Sequence, residues 1–125
     1  MTARNHEFNK GFVAGAAIAA KRIVKFGAAD NAAIQAAAAT DALMGVSDLA
    51  ASTGEHVTVV MGGIAIVEYG GPVTRGGLLT ADANGKAVAA APSAGSNNRT
   101  IGVAMVSGVS GDLGSVLLQP GSVQG

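Results

Sequence analysis

Short runs of Val, Ile and Leu, interrupted every few residues by Gly, Asn, Asp or Pro, fill most of this chain. Runs of that length and residue type predict strands rather than helices. The pattern predicts strands at 22–26, 44–47, 57–61, 64–69, 78–80, 101–106 and 115–119. "DANGK" from Asp82 to Lys86 contains Asn-Gly, a strong short-range hairpin signal. "MGGI" and "YGGP" read as further turns. Several short strands separated by turns point to an all-β protein with little helix, an antiparallel β-sandwich or jelly-roll-like barrel.

The pattern also repeats. "MGVSDLAASTGEHVTVV" from Met44 and "IGVAMVSGVSGDLGSVLL" from Ile101 both begin with an aliphatic residue and Gly-Val. Both reach Gly-acid ten residues after that start, at Gly54-Glu55 and Gly111-Asp112. Met44 aligns with Ile101, 57 positions on, whereas Gly15 aligns with Gly70, 55 positions on. A longer loop at Ser93 to Arg99 would absorb the difference. A period of this size is a supersecondary unit. It predicts an arm at 1–14 and a single β-domain at 15–125, made of two pseudo-repeats at about 15–69 and 70–125.

The repeat decides two ambiguous segments. The Ala-rich stretch 28–45 has helical propensity, but its counterpart contains Pro92 and Gly95, which a long helix does not tolerate. Strands at 34–37 and 87–90 follow, with at most one helical turn near 40–43. The opening also mimics a secretory signal, a polar "MTARNHEFNK" before an apolar "GFVAGAAIAA". Because the apolar part has a counterpart inside the chain, it is expected to belong to the fold.

Composition narrows the function. The formal net charge is zero and 13% of the 125 residues are charged, so no electrostatic footprint for nucleic acid or an anionic membrane is expected. Aromatics make up 3%, with no Trp, so the core buries little area per residue and an oligomer is expected. There is no Cys, which removes disulfides and thiolate metal sites.

No catalytic constellation emerges. His6 sits in the polar arm, and His56 begins a strand beside Glu55. Two distant histidines do not make a metal site. Asp48, Ser52 and His56 lie within one loop and strand start and lack a nucleophile elbow. Glu55 and Asp112 hold equivalent positions after a Gly, as turn residues would. Neither a P-loop nor a dinucleotide fingerprint is present. No enzymatic activity and no cofactor are expected.

The arm stands apart. It holds two of the three Phe residues, and no counterpart is visible for it in the second unit. It reads either as a frayed terminus or as an extended arm that docks aromatic anchors on a neighbour. Phe8, Asn9, Lys10 and Phe12 are the candidate contact residues.

The ordered series "GVSD", "GGIA", "LLTADANGKAV", "IGVA" and a closing Gly-acid strand, spread from Gly11 to Gly121, resembles the capsid cement or decoration proteins of tailed bacteriophages. That resemblance implies a β-rich virion protein on the outside of the head, a dimer or trimer, with the major capsid protein as its partner and no catalytic residues to transfer. The alternative is another non-catalytic β-sandwich binding module, carbohydrate-binding or tail-associated. One Tyr and no Trp make a poor aromatic platform for sugars.

Overall fold

A computed structural model describes residues 7–125. Residues 1–6, which include His6 and the start of the arm, lie outside that range. Nine strands follow in order and no helix occurs among the described residues: β1 (Glu7–Ala14), β2 (Ile23–Phe26), β3 (Ala32–Gln35), β4 (Leu43–Ser47), β5 (His56–Glu68), β6 (Leu78–Ala81), β7 (Ala87–Ala89), β8 (Asn97–Ala104) and β9 (Leu113–Gln124). The all-β architecture matches the strand pattern of the sequence.

The sheet order is β1-β3-β2-β4-β5-β9-β8-β6-β7, and β1 also pairs with β5. The pairings therefore close two five-stranded rings. The first joins β1, β3, β2, β4 and the start of β5. The second joins the end of β5 to β9, β8, β6 and β7, closed by a parallel bridge between Tyr69 and Ala87. Strand β5 belongs to both.

The two displacements seen in the sequence recur in the hydrogen bonds. Ile18 bridges Ala51 as Val73 bridges Gly108. The Lys21 amide donates to the Ser47 carbonyl at 3.0 Å, and Gly76 to Ala104 at 2.7 Å. Lys21 is the one non-glycine residue at positive φ among those described, at 59°, and its counterpart Gly76 has φ 89°. The Ser52 amide donates to the Glu55 carboxylate at 2.7 Å, and the Val109 amide to Asp112 at 2.9 Å. Glu55 and Asp112 are thus turn residues.

Three expectations are corrected. First, the arm does have a counterpart. Lys10 pairs with Val59 as Ala65 pairs with Val116, and Phe12 pairs with Val57 as Val67 pairs with Gly114. Segment 9–14 corresponds to 64–69. The match is of register and not of residue type, so "NKGFVA" and "IAIVEY" do not align by eye. Secondly, "MGGI" is not a turn. β5 runs through it, and the register against β1 shifts there, leaving Met61 as the extra residue of a bulge. A bulge absorbs an inserted residue by bending the strand, which lets one strand serve two rings. Thirdly, the proposed long loop at Ser93 to Arg99 is partly strand, since Asn97–Arg99 pair with Ser122–Gln124.

Ring interiors match position by position except where Ala51 and Val57 of the first correspond to Gly108 and Gly114 of the second. The first buries Phe12, Ala14, Ile18, Val24, Ala33, Met44, Ala51, Val57 and Val59. The second buries the counterparts Val67, Tyr69, Val73, Leu79, Ala87, Ile101 and Val116. Between the rings, Ile23, Val46 and Val60 of the first join the same buried cluster as Ala65, Ala81 and Leu118 of the second.

The β6–β7 hairpin tip locks the rings together. The Ile23 amide donates to the Gly85 carbonyl at 2.7 Å. Arg22 Nη1 and Gln35 Nε2 donate to the Asn84 carbonyl at 2.9 and 2.8 Å. Gly85 has φ 73°, and a Cβ there would lie 2.7 Å from Gln35 Cγ, so glycine meets both demands of the site. The Glu68 carboxylate receives Lys86 at 3.1 Å and Arg22 at 3.3 Å.

Candidate functional site

The arm candidates separate into exposed and buried residues. Strand alternation puts Phe8, Lys10 and Phe12 on one face of β1 and Asn9 on the other, so position along the strand, not face, separates Phe8 from Phe12. Phe8 is 79% exposed and leans over Gly62, where a Cβ would come within 2.8 Å of its ring. Asn9 is exposed and pairs with Val60 at the bulge. Lys10 is exposed, with its ammonium 3.4 Å from Asn31 Oδ1 and 4.4 Å from the centre of the Phe12 ring. A cation over a ring face is favourable, so Lys10 lids Phe12. Phe12 itself is 5% exposed and belongs to the first ring's interior. It serves this chain's own core and is not free to anchor a neighbour.

Among the described residues, one edge of β1 remains open. β5 pairs with it along Glu7–Val13, while β3 meets it only at Val13 and Ala14. Phe8, Asn9 and Lys10 therefore lie on a strand with a free edge, next to a bulge. That geometry suits backbone pairing with another chain.

The repeat exposes a second surface by contrast. Met105, Val106, Val109 and Leu113 are all exposed in one loop and strand start of the second ring. Their counterparts in the first ring are Asp48, Leu49, Ser52 and His56, three of them polar. The shared backbone does not require apolar residues there. Clustered exposed apolar groups mark contact surfaces.

Few groups here are arranged for chemistry. Among the described residues no group of three or more His, Cys, Asp or Glu converges as metal ligands would. Asp41 is held below its ordinary value: partial burial opposes ionisation but is outweighed by the Ala37 amide, Lys25 and the Ala38 amide. Glu68 is lowered by its hydrogen bond from Lys86, against some burial, with help from Arg22. Burial raises the Tyr69 phenol, assisted by the Asp112 charge. Each shift reflects a structural contact. Tyr69 is wholly buried, so it offers no platform for a sugar. A cleft of about 260 Å³ lies between Leu43, Arg99, Thr100, Pro120, Gly121 and Ser122.

Sequence reasoning picked out the exposed Phe8 through the rarity of aromatics. It missed the apolar loop. The signal was available, because aligning Asp48, Ser52 and His56 with Met105, Val109 and Leu113 shows polar positions turned apolar.

Comparison with known proteins agrees with this picture. Residues 5–119 match a family described as phage cement protein. Among solved structures, the fold is similar to the crystal structure of the N base of head fiber gp8.5 of bacteriophage phi29. The TM-score is 0.69 at 18% identity, covering 96% of this chain and 100% of that one. At that identity the likeness speaks for the fold. A search of curated proteins gave no match.

Proposed function

The chain belongs to the phage cement protein family, and from that premise we propose that it binds the exterior of a tailed-phage head and clamps neighbouring capsomers. Its partner is the major capsid protein, and it works as a homo-oligomer. The family match across 5–119 carries this reading. The physics supports it. A species that binds only the intact lattice opposes disassembly by mass action. A chain of zero net charge can crowd a shell without self-repulsion.

The proposed contact is the outward part of β1, with Phe8 as the anchor and Asn9 and Lys10 beside it. The test adds purified protein to undecorated heads and measures co-sedimentation and the temperature of DNA release. Bound protein and a higher release temperature are expected. Absence of binding by the wild type would overturn the cement reading. Unchanged binding by Phe8→Ala/Lys10→Ala would overturn the assignment of the contact to β1 and direct attention to Val106 and Val109.

A further inference from the structure

In the first ring, Ile23, Val46 and Val60 form a row in direct register across β2, β4 and β5. All three are buried, at 0%, 1% and 6% exposure, because the second ring covers them. β4 packs there against β8 and β9. The repeat places Leu78, Val103 and Leu117 at the equivalent positions of the second ring, also in direct register, and Ile64 extends the row. This row too is wholly aliphatic, yet it is uncovered. Leu78 is 42% and Leu117 38% exposed, and Val103 and Ile64 are half-buried.

The receiving side shows the converse. The second ring buries Ala65, Ala81 and Leu118 in the cluster that holds the first ring's row. Their first-ring counterparts are Lys10, Phe26 and Met61. Lys10 is exposed, Phe26 is 53% exposed, and Met61 is half-buried. One end of the chain thus presents a free row, and the other presents a free receiving surface. The joint between them already exists once inside the molecule.

We infer that copies of this chain associate head to tail, the Leu78–Val103–Leu117 row of one docking on the Phe26–Met61 end of the next. The contact continues the internal joint, and this is what selects a second copy as the occupant. Two different patches meet, so the contact is heterologous, and a ring forms where the rotation between copies closes. It rests only on the homo-oligomer part of the proposed function and supplies its interface.

Two variants test it in sedimentation velocity and native mass spectrometry. Leu117→Glu disables the row, and Phe26→Glu disables the receiving end. The wild type is expected to self-associate, and each variant alone to do so roughly tenfold or more weakly. An equimolar mixture should form a one-to-one pair, since each variant keeps the surface that the other lacks. Leu78→Glu replaces Leu117→Glu if circular dichroism shows the latter unfolded. A wild type that stays monomeric at its highest soluble concentration overturns the inference. So does a mixture that fails to pair, which would indicate a twofold contact between identical patches. So does loss of head binding by Leu117→Glu from a monomeric wild type, which would give the row to the capsid. Self-association without head binding leaves this inference standing and removes the cement reading.

Discussion

Tyr69 occupies space that Gly114 leaves by having no side chain: a Cβ on Gly114 would collide with the phenol. Gly108 makes room on another side, where a Cβ would lie 2.8 Å from Tyr69 Cδ2. At the same positions the first ring has Ala14, Val57 and Ala51. One ring fills its centre from β1 and β5 together, the other from a single large residue. Tyr69→Ala should therefore cost about 3–5 kcal/mol through the cavity it leaves. Adding Gly114→Val and Gly108→Ala, which copies the first ring, should recover part of that loss. Urea denaturation of the single and triple variants measures both. No recovery in the triple variant would show that the rings are not interchangeable in packing.

Phe8 and Phe12 differ in duty despite their closeness in sequence. Phe12→Ala should lower stability by about 3–5 kcal/mol, as core truncations do. Phe8→Ala should change it by about 0.5 kcal/mol or less, as exposed substitutions do. Thermal unfolding separates the two before any capsid assay. For the same reason, a truncation through Lys10 removes paired strand and should destabilise the first ring.

Gly54 and Gly111 have φ of 84° and 92°, and the space where a Cβ would stand is empty at both. Their equivalence predicts equal penalties for Gly54→Ala and Gly111→Ala, about 1 kcal/mol each from backbone strain alone. Unequal values in chemical denaturation would show that the two turns bear different loads.

The lock between the rings should be sensitive to acid. Glu68 ionises below its ordinary value of 4.5 because Lys86 and Arg22 stabilise its charge in the folded state. Its contribution is complete above 4.5 and disappears as pH falls through the lowered folded value. Glu68→Gln should cost about 1 kcal/mol at neutral pH and flatten the fall in stability below 4.5. Melting temperatures across acid pH for both proteins would show it. Parallel curves would mean that another carboxylate, such as Asp41, governs the acid limit.

Much was already legible in the chain. Val- and Ile-rich runs bounded by Gly and Asn marked most strands, because period-two burial and turn chemistry are local properties. The Asn84-Gly85 turn formed where expected, and Pro92 correctly argued against a helix through the Ala-rich stretch. The repeat was visible because glycines with required backbone geometry, such as Gly54 and Gly111, and tight approaches, such as Gly45 and Gly102, are held by the backbone itself. The rest depended on long-range pairing. Nothing local in "NKGFVA" states that it lies against Val57–Val60, or that β5 bends through Gly62 and Gly63 instead of turning. Nor does Phe12 differ in type from Phe8. The two lie four residues apart on β1 and so share a face. One is core and the other surface because the ring closes round Phe12, near where β3 joins β1 at Val13 and Ala14, and ends before Phe8. The exposed row at Leu78, Val103 and Leu117 follows the same rule. Its residues are no more apolar than Ile23, Val46 and Val60, and only the placement of the second ring leaves one row buried and the other open.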